Sequence, residues 1–128
     1  MQKQFLATGF FFGMTAVILG AFGAHTLKEI LTPEMLSSFE TGVRYQMYHA
    51  FLLLAVGILP SVSDKTRKAV YWLTTIGIVF FSVSIYLLST AKISGIDFRS
   101  IGWITPVGGL LLIVAWFLLF IDVIRKKS

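Results

Sequence analysis

Four side chains that could bind a ligand or exchange a proton stand inside otherwise apolar stretches of this sequence. His25 closes the first apolar run, and Arg44, Gln46 and His49 lie together in the segment RYQMYHA. Such groups cost free energy in hydrocarbon, so membrane helices keep them where they pair, bind or carry charge. A guanidinium binds anions, and an imidazole can gain or lose a proton near neutral pH. These residue types therefore indicate anion or headgroup binding, or proton transfer.

Helical spacing extends this polar group. Glu40 precedes Arg44 by four residues, which favours an ion pair on one helix face, and Tyr45 precedes His49 by the same interval. Thr105, in the last apolar segment, is predicted to lie at a similar depth. The candidate binding residues are His25, Glu40, Arg44, Tyr45, Gln46, His49 and Thr105.

The same residues give little support to a metal centre or to an enzyme. The chain has no cysteine and two histidines, and its glutamates do not stand at metal-motif spacing, whereas a zinc site needs three or four protein ligands. No nucleophile accompanies either histidine at a recognisable spacing, and the two histidines are predicted at different depths. We therefore expect no cofactor and no catalytic residue.

Hydropathy predicts the elements that position these residues. Hydrophobic residues make up 56% of the 128 residues and charged residues 13%, with a mean hydropathy of +0.84, whereas soluble domains are about 45–50% apolar. Four apolar segments are each long enough to cross a hydrocarbon core of about 30 Å as a helix, and they do not alternate as transmembrane strands would. They cover about residues 4–24, 42–60, 69–91 and 101–124. The prediction is an all-α membrane protein with a single domain, residues 1–128, folded as an antiparallel bundle of four transmembrane helices.

The first outer loop is predicted to contain a short interfacial helix. Thr32, Pro33 and Glu34 have the character of an N-cap, a first helical position and an acid favoured by the helix dipole. Apolar residues then recur at helical spacing up to Val43. This helix either joins the second transmembrane helix or bends into it.

Lysine and arginine are unequally divided between the two sides of this topology. With a cytoplasmic N-terminus, seven basic residues lie inside and four outside, as the positive-inside rule favours. The inner set is Lys3, Lys65, Arg67, Lys68, Arg125, Lys126 and Lys127, and the outer set is Lys28, Arg44, Lys92 and Arg99. We predict that both termini are cytoplasmic and that the net charge of +5 faces membrane lipids rather than nucleic acid.

Small residues form a stripe along the first helix at intervals of four, three, four and three. The stripe consists of Gly9, Gly13, Ala16, Gly20 and Gly23, and the fourth helix adds Gly108 and Gly109. Because lipid gives helices no hydrophobic reason to associate, small residues that let backbones approach predict a packing seam. The partner is another helix of this chain, as a four-helix bundle favours, or a second copy in a homo-oligomer.

The predicted depths gather the polar side chains in the half of the bundle opposite the chain termini. The inner halves of the first and second helices contain almost no polar residue. This asymmetry predicts an outward-facing pocket. The alternative is a structural network in which hydroxyls bond to their own backbone and the histidine is a packing group.

Four motifs and one tryptophan carry a resemblance to a known family. They are GAFGAH (20–25), YQMYHA (45–50), FFSVSIYLL (80–88), ITPVGG (104–109) and Trp116. In this order, over nearly the whole chain, they resemble domain of unknown function family 423, the small bacterial membrane proteins of the YwdK and YgdD type. The resemblance implies a multi-pass protein of the bacterial inner membrane, and it transfers no catalytic residue and no settled biochemical role.

Thr26 departs from the glycine that many of these relatives have after the histidine. A β-branched residue disfavours a left-handed turn, so the resemblance does not predict a sharp, glycine-dependent exit of the first helix.

Three functions fit these observations to different degrees. The first is a non-enzymatic bundle that binds a small ligand or a lipid headgroup through the outer polar cluster. The alternative is a small oligomeric transporter or channel for ions or small solutes, with His49 as the proton-carrying group. The third, an enzyme that uses both histidines, lacks a recognisable catalytic arrangement.

Overall fold

The computed structural model describes residues 1–126, which are helical and contain no β-strand. The helices are α1 (Gln2–Ile30), α2 (Pro33–Ile58), α3 (Asp64–Ser89), the short α4 (Ala91–Ser94) and α5 (Ile104–Arg125). Within these residues, three helices are long and apolar enough to span a membrane: α1, α3, and α5 together with the turn before it. Lys127, which entered the charge count above, lies outside the described residues.

The first helix is longer than its apolar run predicted. It continues to Ile30 through one wide π-helical turn, Gly23–Leu27, which contains His25. Gly23 keeps a right-handed helical conformation, with φ −63° and ψ −42°. A π-turn absorbs one extra residue without ending the helix. The predicted helix end near residue 24 is therefore wrong. The chain makes no sharp turn after His25, in agreement with the expectation from Thr26.

The second helix begins nine residues before its predicted start at residue 42. The Thr32 hydroxyl accepts a hydrogen bond from the backbone N–H of Met35 (3.2 Å), Pro33 occupies the first turn, and Glu34 is the acid near the N-terminus. The N-cap prediction is confirmed. The segment predicted as a short interfacial helix that joins the second helix or bends into it forms the first turns of α2, one continuous helix of 26 residues.

The third helix begins at Asp64 rather than 69 and carries a second π-turn at Val79–Val83. After α4 the chain turns at Gly95, whose φ of +73° is left-handed and favours glycine. In the following loop the Arg99 guanidinium lies 2.9 Å from the Asp97 carboxylate, and this hydrogen bonding lowers the pKa of Asp97.

The helices pack as two antiparallel pairs. α1 lies along α2, α5 lies along α3, and α2 and α3 form the interface between the pairs. A Cβ atom on Gly9 would lie 2.8 Å from Leu54 and 3.1 Å from the Ala50 carbonyl oxygen, and one on Gly23 would lie 3.2 Å from the Phe39 ring. Gly20 likewise faces Val43, and Ala16 is buried. The small-residue stripe of α1 therefore faces α2 of the same chain.

Among the glycines, Gly108 of α5 lies closest to the backbone of another helix, at the π-turn of α3. A Cβ atom on Gly108 would lie 2.4 Å from the Phe81 backbone nitrogen and 2.8 Å from the Phe80 carbonyl carbon. The neighbouring Gly109 has more room, because its Cβ would meet the Phe81 ring at 3.5 Å. Only a residue without a side chain fits at position 108.

Two charged side chains fasten the bundle at the end that holds the chain termini. Arg67 of α3 donates to the Val56 carbonyl (2.6 Å) and to the Leu59 carbonyl at the end of α2, and its guanidinium carbon lies 5.7 Å from the centre of the Phe5 ring of α1. Asp122 of α5 accepts hydrogen bonds from the Ser63 hydroxyl (2.6 Å) and backbone N–H (3.2 Å) at the start of α3. All four long helices are thus joined at this end.

The two adjacent glycines of α5 allow a matched test of this packing. We expect Gly108→Ala to lower the free energy of unfolding by about 1–3 kcal/mol, because the new methyl group overlaps the α3 backbone. Gly109→Ala should be neutral or stabilising, since alanine is up to ~1 kcal/mol better than glycine in a helix. Unfolding in detergent, followed by circular dichroism, measures both. Equal stabilities of the two variants would contradict the proposed close contact.

Candidate functional site

Gln46 connects three helices from the centre of the bundle. Its side chain is buried, and its Nε2 group donates to the Phe12 carbonyl (2.9 Å) and to the Thr15 hydroxyl (2.7 Å) of α1. Its Oε1 atom accepts a hydrogen bond from the Tyr86 hydroxyl of α3 (2.6 Å). Both ends of the amide are therefore engaged, and Gln46 joins α1, α2 and α3.

His49 connects α2 to α5, one turn further along. The residue is 4% exposed, its Nδ1 atom lies 2.7 Å from the Tyr45 carbonyl oxygen, and the Trp116 indole N–H donates to its Nε2 atom (3.0 Å). A carbonyl oxygen can only accept a hydrogen bond and an indole N–H can only donate one, so the proton belongs on Nδ1. This pattern holds the imidazole in its neutral form. Adding a proton to Nε2 would cost the bond with Trp116.

Short hydroxyl groups join the remaining seams near the second π-turn. Ser82 donates to the Gly42 carbonyl oxygen (2.8 Å), which ties α3 to α2. The Ser84 and Thr105 hydroxyls lie 2.5 Å apart, which ties α3 to α5. Ser84 also donates to the carbonyls of Phe80 and Phe81 within its own helix. Thr105 is thus a structural contact of α5 and does not belong to the Gln46 or His49 contacts.

The other predicted binding residues lie elsewhere. His25 is exposed in the π-turn of α1, about 15 Å along that helix from Thr15. Glu40 and Arg44 form the predicted ion pair (3.9 Å), with side chains 50% and 51% exposed, and Arg44 also donates to the Thr41 hydroxyl (3.1 Å). The seven candidates therefore do not line one pocket, because successive residues of α2 point to different neighbours around the helix.

The expectation that polarity gathers in one half of the bundle is also wrong. The Thr8 and Tyr71 hydroxyls lie 2.7 Å apart, and Asp122 accepts from Ser63 and Thr66 (3.0 Å to Thr66), all towards the end that holds the termini. Polar contacts thus run along the whole length of the bundle. Isolated threonines and tyrosines in apolar runs contribute to several of the hydrogen bonds between packed helices.

One lateral groove remains beside His49 and is the candidate functional site. It encloses about 380 Å³ between α2 and α5, with α3 as its floor. Its walls are mostly apolar and aromatic: Thr41, Tyr45, His49, Phe81, Gly109, Leu112, Ile113 and Trp116. Tyr45, Ile113 and Trp116 are 41%, 65% and 50% exposed, so the groove opens on the outer surface of the bundle.

Aromatic rings shape the groove around Tyr45. The Tyr45 ring lies 5.1 Å from the Phe81 ring and 6.3 Å from the His49 ring, with the latter pair stacked. The His49 and Trp116 rings meet edge to face at 5.9 Å. Because both His49 nitrogens are already bonded, His49 offers the groove a ring surface. The hydroxyl groups in its lining belong to Thr41 and Tyr45.

Trp116 and Phe81 are the site residues that the reading of polar patterns missed. Both residues entered only through the family resemblance, Trp116 by itself and Phe81 within the motif FFSVSIYLL. Neither residue type signals chemistry in a membrane helix, where aromatic side chains are common. The sequence offered one signal, a lone histidine on one helix and an indole on another that could donate to it. Only the packing of α2 against α5 shows that these two residues meet.

The apolar helices and the internally bonded polar groups define a helical integral membrane protein. The sequence matches the family described as "Protein of unknown function (DUF423)" over residues 19–109, and the chain belongs to this family. It is 44% identical to a UPF0382 membrane protein of Staphylococcus saprophyticus over 97% of this chain and 99% of that protein. It is 38% identical to the UPF0382 membrane protein YwdK of Bacillus subtilis over 97% of this chain and 98% of YwdK. The comparison with solved structures found no match.

A double-mutant cycle on Gln46 and Tyr86 tests the central network. Gln46→Met and Tyr86→Phe should each destabilise the protein by about 1–3 kcal/mol, because each leaves a buried partner unsatisfied. The double variant should lose less than the sum, with a coupling of about 0.6–1.7 kcal/mol as found for hydrogen bonds in membrane helices. Unfolding in detergent measures the four species.

The control for this cycle is Tyr48→Phe, since Tyr48 is 53% exposed on the same helix. Its effect should add to that of Gln46→Met without coupling. Coupling of the same size in both cycles would show that the Gln46 and Tyr86 contact contributes nothing specific.

Proposed function

We propose that this protein is a non-enzymatic, four-span bundle of the bacterial inner membrane that binds an anionic membrane lipid in the groove between α2 and α5. The acyl chain would lie against the groove, and the headgroup would meet Arg44. The observation that carries the proposal is the lateral groove, which is lined by apolar and aromatic side chains and bordered by a helix turn that carries an exposed cation.

The groove faces hydrocarbon if α2 is the fourth span. Its 26 residues extend about 39 Å, which is enough to cross a bilayer core of about 30 Å. Its polar residues are accommodated in this position, because Gln46 and His49 are bonded to neighbouring helices. A short loop then joins α2 to α3 at the same end as both termini, and the charge bias favours the cytoplasm for that end.

The lining of the groove suits an acyl chain better than a polar solute. Phe81, Leu112, Ile113 and Trp116 present apolar surface, and the α2 wall from Thr41 to His49 is about 12 Å long. Arg44 donates to Thr41, which lines the groove. The ion pair of Arg44 with Glu40 is exposed and long, so it contributes little and leaves the guanidinium able to meet a phosphate.

The polar interior gives less support to transport. A path for ions or protons needs side chains that can exchange partners, whereas Gln46 and His49 are fully engaged within the chain. The packing of the α1 stripe against α2 likewise removes the sequence argument for a second copy. Lipid binding requires neither a water-filled path nor an oligomer.

Trp116 itself can report the proposed binding. In a variant with Trp72→Phe and Trp103→Phe, Trp116 is the single tryptophan of the chain, and excitation at the red edge of indole absorption selects it over tyrosine. We expect brominated phosphatidylglycerol to quench it with about fivefold higher apparent affinity than brominated phosphatidylcholine, as an interaction of ~1 kcal/mol at one cation implies. Fluorescence titration in mixed vesicles measures the difference.

The matched variants are Arg44→Gln and Lys92→Gln, which each remove one exposed cation from the same side of the bundle. Arg44→Gln should abolish the headgroup preference, and Lys92→Gln should retain it. Equal quenching by the two lipids in the parent, or an equal loss in both variants, would show that Trp116 meets only unselected bilayer lipid.

A further inference from the structure

The chain-terminal end of the bundle has a second cavity, built from the start of α3 and the last turns of α5. It encloses about 650 Å³ and shares no lining residue with the groove beside His49. Its lining combines a polar and basic part with an apolar part: Ser63, Lys65, Thr66, Ala69, Leu118, Ile121, Asp122, Arg125 and Lys126.

The basic part converges from two helices. Lys65 comes from the first turn of α3, Arg125 is the last residue of α5, and Lys126 follows it; all three are exposed at the cavity. Side chains fixed on separate helices that face one cavity can bind the same anion from two sides. Two cations from different helices, Lys65 and Arg125, provide more attraction for a phosphate than one basic residue at a membrane surface.

The single carboxylate in the lining does not cancel this charge. Asp122 accepts hydrogen bonds from the Ser63 hydroxyl and backbone N–H and from the Thr66 hydroxyl, and the Lys126 ammonium lies 3.9 Å from it. Its oxygens are thus directed at the start of α3. Lys65 and Arg125 remain available, because the recorded ion pairs of the described residues do not include them.

The apolar part indicates which anion fits. Ala69, Leu118 and Ile121 are partly buried and continue the cavity from its basic rim along the seam between α3 and α5. A soluble phosphate would meet only the rim, whereas a phospholipid places a phosphate on the cations and the start of an acyl chain on the apolar wall. We infer that this cavity binds the headgroup phosphate and adjoining chain of an anionic phospholipid, independently of the groove.

Native mass spectrometry of the full chain in detergent tests this site with defined lipids. The parent should bind dioleoyl phosphatidylglycerol about tenfold or more tightly than dioleoyl phosphatidylcholine, as expected for two cations near a phosphate. Lys65→Gln combined with Arg125→Gln should lower that preference to the level expected of the groove alone, about fivefold. The charge-matched control is Lys3→Gln combined with Lys68→Gln, which lie at the same end outside the cavity, and this control should keep it.

Three further measurements separate the possible outcomes. Glycerol phosphate, the soluble headgroup, should not compete with the lipid, and competition at equal concentration would overturn the proposal in favour of a simple anion site. Arg44→Gln should leave this preference intact, so loss of the groove site and loss of this site are distinguishable. Circular dichroism and thermal unfolding without lipid should match the parent for each variant.

An equal loss of the lipid preference in the two double variants would mean that net charge alone attracts the lipid, and the proposal would be wrong.

Discussion

The structure depends on one constraint: polar groups inside the bundle find partners inside the bundle, and among the described residues the buried hydroxyls of Thr74 and Thr75 are exceptions. Hydrocarbon supplies neither water to bond these groups nor a hydrophobic force to bring helices together. Gln46 meets this constraint by bonding to both α1 and α3, and His49 meets it by accepting from Trp116 of α5. The side chains that are most costly to bury therefore hold the helices in register.

Close backbone contact is the second condition for this network, because short side chains bridge only between closely packed helices. Gly9 brings α1 to α2, and Gly108 brings α5 to the π-turn of α3. That π-turn contains or adjoins Phe81, Ser82 and Ser84, which line the groove or bond to α2 and α5. The π-turn of α3 thus makes the close contact with Gly108 and also contributes Phe81 to the lateral groove. π-turns are frequent at functional sites.

Because the buried polar groups Gln46 and His49 are already hydrogen-bonded, they are not available to a ligand. The candidate functional sites therefore lie on the surface of the bundle and not in its core. Gln46 and His49 are fully hydrogen-bonded within the chain, so their role is to fix the positions of the helices. The lateral groove lies between helices positioned in this way. At the other end, Asp122 similarly secures the start of α3 and leaves Lys65 and Arg125 around an amphipathic cavity. Both proposals place lipid against surfaces whose form is set by internal hydrogen bonds.

The sequence alone determined the class of protein and the family. Apolar runs of span length predicted helices, and the motifs from GAFGAH to ITPVGG predicted the family that the comparisons established. The N-cap at Thr32 and the ion pair of Glu40 with Arg44 were also predictable, because their partners lie within four residues along one helix. Local spacing is sufficient for such contacts.

Only the tertiary structure decided which polar side chains meet. Helical periodicity places Arg44, Gln46 and His49 on one helix but does not say which neighbour each one faces, so a shared pocket was predicted where the structure has separate contacts. The π-turns were equally hidden, because an extra residue in a helix leaves the hydropathy pattern almost unchanged. Contacts such as His49 with Trp116 join residues 67 positions apart, and their geometry follows from how closely glycines let the helices approach.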